Sequence, residues 1–228
     1  MARAKPIFFR PLRLALLLGG ALLLILLAIY GPTLLDLYRL DRAITQDSVA
    51  RAADAGPWPA QTDACVPCHG RNGHSVNDQY PQLAGLPEAY VAAQLRAFAS
   101  GERDNPNMSS LALALSDAER DALARHFAAQ RPRPVGGAAP DAQQRERGAA
   151  LAARLACASC HGADFGGQAQ MPRLAGQGAP YLARQLRDFQ RNRRRDPSGA
   201  MNALAAPLSA ADIDDLASFL AAHEVKPQ

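Results

Sequence analysis

Apolar and polar positions fall into three patterns along the 228 residues. From Leu14 to Tyr30 all 17 residues are apolar or glycine, and the run continues through Gly31, Pro32, Thr33, Leu34 and Leu35 to 22. At ~1.5 Å per residue such a helix is roughly 33 Å long, about one bilayer core. Further on, apolar residues recur at the helical period in Tyr90, Val91, Leu95 and Phe98, with Gln94 among them. The same spacing returns in Tyr181, Leu182, Leu186 and Phe189, with Gln185 in the matching place. Two later helices open on a serine followed three residues on by an acid. Ser116 with Glu119 precedes Leu123 and Phe127, and Ser209 with Asp212, a weaker capping box, precedes Ile213, Leu216 and Leu220. No stretch alternates with period two, so the expected fold class is all-α.

These helices belong to a duplication. The first copy reads Cys65-Val66-Pro67-Cys68-His69-Gly70, Pro81-Gln82-Leu83-Ala84-Gly85, Tyr90, Gln94, Leu95, Phe98, Met108 and Ser116. The second reads Cys157-Ala158-Ser159-Cys160-His161-Gly162, Pro172-Arg173-Leu174-Ala175-Gly176, Tyr181, Gln185, Leu186, Phe189, Met201 and Ser209. First cysteine to proline is 81 − 65 = 16 and 172 − 157 = 15 residues; first cysteine to methionine is 108 − 65 = 43 and 201 − 157 = 44. Between the copies, Pro132, Pro134, Pro140 and the pair Gly136-Gly137 break regular structure. The expected organisation is a basic segment 1–13, a transmembrane anchor 14–35, a tether 36–56, a first domain 57–131, a linker 132–140 and a second domain 141–228. Domains of ~65 to 85 residues are marginal without an added staple.

Charge locates the chain. Of 25 cations, Arg3, Lys5, Arg10 and Arg13 precede the apolar run, leaving 25 − 4 = 21 against 21 anions. With no net positive charge beyond residue 13, a nucleic-acid binder is excluded, because its affinity rests on neutralising phosphates. Cations ahead of the run and a balanced flank behind it place the N-terminus in the cytoplasm and the remainder on the exported side. An uncleaved anchor is expected rather than a signal peptide, since the nearest small-x-small site, Ala50-Arg51-Ala52, lies far downstream.

All four cysteines sit in the two Cys-x-x-Cys-His motifs. Two thiols three positions apart can each form a thioether to one vinyl group of a haem, and the next residue presents its imidazole to the iron. A redox dithiol would want a neighbouring strand–helix–strand pattern. A zinc ribbon would want its pairs ~15 to 20 residues apart, against the 88 residues between them here. Two disulfides would leave the paired histidines unexplained. The matching positions of Met108 and Met201 make them the candidate sixth ligands opposite His69 and His161. Met171, aligned with Tyr80, reads as haem-edge or core packing, and His74, His126 and His223 as solvated or capping residues. Carbonyls of Pro81 and Pro172 are expected to accept from the Nδ1–H of the ligating imidazoles and so fix their rings. Arg191, Arg193, Arg194 and Arg195 suit haem propionates, an acidic partner or a solvated face, and Trp58 suits packing. By copy, residues 57–131 carry 6 cations and 8 anions, residues 141–228 carry 11 and 9, a weak complementarity.

These motifs, each present twice over residues 57–225, resemble the cytochrome c4 family of dihaem c-type cytochromes. The resemblance implies two tandem class I cytochrome c domains, with one covalent haem c each. Its iron ligands would be His69 and Met108 in the first and His161 and Met201 in the second, with attachment at Cys65, Cys68, Cys157 and Cys160. It also implies passage of electrons from a quinol-oxidising complex towards terminal oxidases on the periplasmic side of the inner membrane, here with the carrier tethered. The chain departs from the pattern at Pro57 and Pro59, which interrupt the stretch matching a second-copy helix from about Gln143 to Cys157. A dihaem peroxidase, which needs an open iron site, and a cytochrome subunit of a larger dehydrogenase or oxidase are the competing readings.

Overall fold

The computed structural model describes residues 9–53, 61–137 and 139–226, and the chain divides into two compact units, residues 1–58 and 59–228. Pro57, Trp58 and Pro59 lie outside the described residues. The described residues of the first unit form one helix, α1 (Phe9–Ala53), which runs on into the segment read as a tether. Within it, Leu16–Arg39 has a mean hydropathy of 2.1, long and apolar enough to cross a bilayer. Its leucines are exposed, Leu17 at 70%.

The second unit contains both copies, and among its described residues there is no strand, only an isolated bridge between Gln168 and Met171. The first copy supplies α2 (Val66–His69), α3 (Glu88–Ser100), α4 (Pro106–Leu113) and α5 (Asp117–Ala128). The second supplies α6 (Ala142–Arg154), α7 (Cys157–His161), α8 (Ala179–Gln190), α9 (Ala200–Ala205) and α10 (Ala210–Ala221). Helix α3 packs on α4 and α5, as α8 does on α9 and α10. Both capping boxes form, and the Asp212 carboxylate closes its own as well as Glu119 does, accepting from Ser209 N–H at 2.9 Å.

Helix α6 has no counterpart among the described residues of the first copy. It crosses α10 at Gly148, where an added Cβ would stand 2.4 Å from Asp215 O and 2.5 Å from Phe219 Cβ. Only a residue without a side chain admits so close a crossing, which buries Leu151 and Ala152 against Ile213, Leu216, Ala217 and Leu220. The first copy's core is smaller, centred on Leu86, Tyr90, Val91, Ala92 and Ala124. The connecting segment is extended but packed: Val135 is buried and its N–H donates to Gly176 O at 2.9 Å.

Candidate haem-binding sites

Each copy opens its site with a short helix that ends on the histidine; α7 carries both of its cysteines, whereas α2 carries Cys68 and Cys65 immediately precedes it. At the end of α2 the chain must leave through a positive φ. Gly70 has φ +71°, and a Cβ there would stand 2.0 Å from His74 O. No disulfide joins either pair, so all four sulfurs are available for thioether bonds. Burial pushes the Cys65 thiol upward, reinforced by Asp63.

The two imidazoles are held alike. His69 is 7% exposed and its Nδ1 lies 3.0 Å from Pro81 O; His161 is 6% exposed with Nδ1 2.8 Å from Pro172 O. A carbonyl only accepts, so Nδ1 is the protonated nitrogen in both rings, and in the neutral ring the Nε2 lone pair is free for a metal. Both rings are kept neutral chiefly by burial, which pushes their pKa values down against the upward pull of the proline carbonyls. The carbonyl bonds expected from Pro81 and Pro172 are thus formed.

In the first copy a cavity of about 770 Å³ is lined by Cys65, Cys68 and His69 from one side of the fold and by Met108 from α4. Its volume suits a large cofactor, and its mostly apolar lining, with Leu83, Leu95 and Phe98, fits a porphyrin. Asn105 caps α4 by accepting from Met108 N–H at 3.0 Å, which fixes the backbone of the methionine. Met201 stands in the first turn of α9, half-buried. Its neighbour Asn202 ties that turn back, donating to Phe189 O at 2.9 Å and Arg194 O at 2.8 Å.

Where the copies meet, matched residues form a quasi-symmetric polar cluster on the cavity wall. Arg103 donates to Gln94 Oε1 at 2.7 Å and to Gln185 Oε1 at 2.8 Å. Arg194 donates to Gln185 Oε1 at 2.7 Å, Tyr90 Oη at 3.0 Å and Gln94 Oε1 at 3.1 Å. Each guanidinium lies over its own copy's phenylalanine ring, Phe98 at 4.5 Å and Phe189 at 4.6 Å. Burial alone would raise the Tyr90 hydroxyl, but Arg194 and Arg103 outweigh it and hold its pKa below the ordinary value. Among the described residues the two guanidiniums bond neutral oxygens, an arrangement that favours an anionic group beside them.

The structure therefore separates the four arginines of the second copy. Arg194 belongs to the interface, Arg193 pairs with Asp188 at 2.6 Å, and Arg191 and Arg195 are exposed. Arg103 escaped the sequence reading, although it stands 103 − 90 = 13 residues after Tyr90 as Arg194 stands 194 − 181 = 13 after Tyr181. Met171 is 37% exposed and Tyr80 38%, so both lie at an edge and neither is core. His223 is half-buried, its ring meeting Phe165 edge-on at 4.9 Å and Phe219 at 5.6 Å. His126 is likewise half-buried, edge-on to Phe127 at 5.1 Å. His74 is half-buried too, its pKa lowered by burial and by Arg133.

Comparisons with known proteins agree with this architecture. The Cytochrome c family model matches residues 145–224. The thiosulfate dehydrogenase electron acceptor of Thiomonas intermedia is 36% identical over 179 residues, covering 74% of this chain and 82% of that protein. Cytochrome c4 of Pseudomonas aeruginosa is 35% identical over 178 residues, covering 74% of this chain and 88% of its own length. The crystal structure of reduced cytochrome c4 from Pseudomonas stutzeri superposes with a TM-score of 0.65 at 29% identity, covering 75% of this chain and all of that one, 100%. Fold, paired motifs and cavity together define a c-type cytochrome with two covalently attached haem groups, an electron-transfer protein rather than an enzyme. The chain belongs to the cytochrome c4 family.

Proposed function

We propose that this cytochrome carries single electrons between redox proteins of a respiratory chain on the periplasmic side of the inner membrane, tethered there by α1. Cys65 and Cys68 hold one haem by thioether bonds, Cys157 and Cys160 the other. His69 with Met108 would ligate one iron, and His161 with Met201 the other. The bound haem supplies a one-electron Fe(III)/Fe(II) couple. The single observation that carries this reading is the Nδ1–H bond from each motif histidine to a proline carbonyl, which leaves Nε2 unprotonated and aimed by a fixed ring. With a methionine as well as a histidine on each iron, no position would be left for a substrate, which favours a carrier over a peroxidase. Arg103 and Arg194, lining the cavity, neutralise haem carboxylates.

Two donors fit the reading. A quinol-oxidising complex, with a terminal oxidase as acceptor, follows from the family. A sulfur-compound dehydrogenase is favoured by the 36%-identical relative whose name makes it the electron acceptor of thiosulfate dehydrogenase. In that case the chain is the cytochrome partner of a larger dehydrogenase system. The test is haem quantification per chain, with the Met-to-Fe(III) charge-transfer band followed in Met108→Ala and Met201→Ala. Two haems, with the band partly lost in each variant, are expected. A parent without the band would leave an iron open and make peroxide turnover the assay to run. Retention on washed membranes and release only by detergent are expected of the anchor.

A further inference from the structure

The peptide that steadies the first histidine also reaches the second copy. Pro81 O accepts from His69 Nδ1 at 3.0 Å. The N–H of that same peptide unit belongs to Gln82 and donates to Gln177 Oε1 of the second copy at 2.9 Å. Gln177 Nε2 returns a bond to Gln82 O at 2.8 Å. Gln82 is 1% and Gln177 2% exposed, so water does not compete for either bond. The second copy lacks this arrangement. Its matching peptide joins Pro172 to Arg173, and the cross-copy contact there comes from the Arg173 side chain, which donates to Ala84 O at 3.0 Å and to Ala175 O. Among the described hydrogen bonds, Arg173 N–H donates to no group of the first copy.

We infer that Gln177 is a positioning residue for the haem of the other copy: through the Pro81–Gln82 peptide it sets the electron density of the His69 imidazole and hence that haem's reduction potential. The inference rests on His69 being an axial ligand. A peptide whose N–H is hydrogen-bonded carries more negative charge on its oxygen, because successive bonds polarise one another by roughly 10–30% each. The stronger acceptor draws on Nδ1–H and makes Nε2 more basic. A more basic axial nitrogen favours Fe(III), so the bond from Gln82 to Gln177 lowers the potential of the first haem. The second haem, whose histidine depends on the Pro172–Arg173 peptide, is not addressed by Gln177. One copy thereby biases the other's redox equilibrium through neutral groups, without a charge and without contact with the cofactor.

The test uses the full-length holoprotein and three substitutions at one position. Gln177→Leu removes both cross-copy bonds. Gln177→Asn keeps an amide but draws it back by one methylene from Gln82 N–H, and so answers if the leucine variant does not fold. Gln177→Glu keeps an acceptor oxygen towards Gln82 N–H. The readouts are the proximal Nδ1–H proton resonances of the reduced protein and the oxidised-to-reduced ratio of each haem at fixed ambient potential. In Gln177→Leu and Gln177→Asn the His69 Nδ1–H resonance moves upfield while that of His161 stays. The reduced fraction of the first haem rises two- to fivefold relative to the oxidised, roughly 20–40 mV at 59 mV per tenfold. Gln177→Glu, whose oxygen still accepts from Gln82 N–H, does not move the His69 resonance upfield. Equal shifts at both haems would mean a generally loosened interface and overturn the inference, as would an unmoved His69 resonance in either loss variant. A parent in which His69 gives no proximal resonance overturns the ligation reading and this inference with it.

Discussion

Replacing Gly148 by alanine adds one methyl group where α6 crosses α10, and the structure says which of two opposed effects wins. Alanine in a helix interior gains up to about 1 kcal/mol over glycine. Against that, the new Cβ would sit 2.4 Å from Asp215 O and 2.5 Å from Phe219 Cβ. Carbon needs roughly 3.5 Å for an unstrained contact, so α6 has to retreat by about 1 Å. Backbone oxygen cannot swing aside as a flexible side chain would, so the whole helix moves. A gap of 0.5–1 Å forfeits about a quarter to a half of each contact's attraction, and the contacts at stake are those of Leu151 and Ala152 against the α10 core. Overpacking of this kind costs about 1–3 kcal/mol or more in well-packed interiors. The expected net loss is about 1–3 kcal/mol, and each kcal/mol lowers the Tm by about 2–4 °C for a unit of this size. Thermal and denaturant unfolding of the holoprotein measure it. Gly136→Ala is the control, since its Cβ would meet nothing within 4 Å. A Gly148→Ala protein as stable as the parent, or more so, would refute the tight-crossing argument.

Two further outcomes are expected. The Asp215 carboxyl, half of an Arg147 pair at 2.6 Å, is held below the usual carboxylate range by the Arg147 hydrogen bond. A depressed native pKa contributes stability above the unfolded value of about 4 and loses it as pH falls through the native one. The stability gap between parent and Asp215→Asn should therefore be constant near neutrality and shrink below about pH 4, as followed by denaturant midpoints over a pH series. In Arg194→Met the Tyr90 hydroxyl keeps its burial but loses its principal cation. Its ionisation moves upward, read by ultraviolet difference titration; an unmoved tyrosine would contradict the interface cluster.

Much of the architecture is legible from local order along the chain. The Cys-x-x-Cys-His motifs, the helices around Tyr90 and Tyr181 and the two serine caps depend on neighbours within a few residues, and covalent spacing or helical period expresses such relations directly. Reading the two copies against each other extended that reach to the proline carbonyls. The cap at Ser209 has the shorter acid, yet aspartate closes it fully, because its side chain still reaches the cap N–H at 2.9 Å. The histidines are less legible for the opposite reason: how far His223 or His74 is wet depends on which distant rings and side chains arrive beside it.

The amino-acid order by itself determined that the protein is helical, duplicated, equipped to hold two haems and headed by a segment long and apolar enough for a membrane. Only the tertiary structure decided which of Arg191, Arg193, Arg194 and Arg195 packs against the other copy, and that Gln82, separated from Gln177 by 95 residues, gives its peptide N–H to it. The reason is physical. Helices, caps and haem motifs are specified by interactions along the chain, whereas a desolvated hydrogen bond between copies exists only after both folded surfaces have been brought together. No residue type or spacing within either partner encodes it alone.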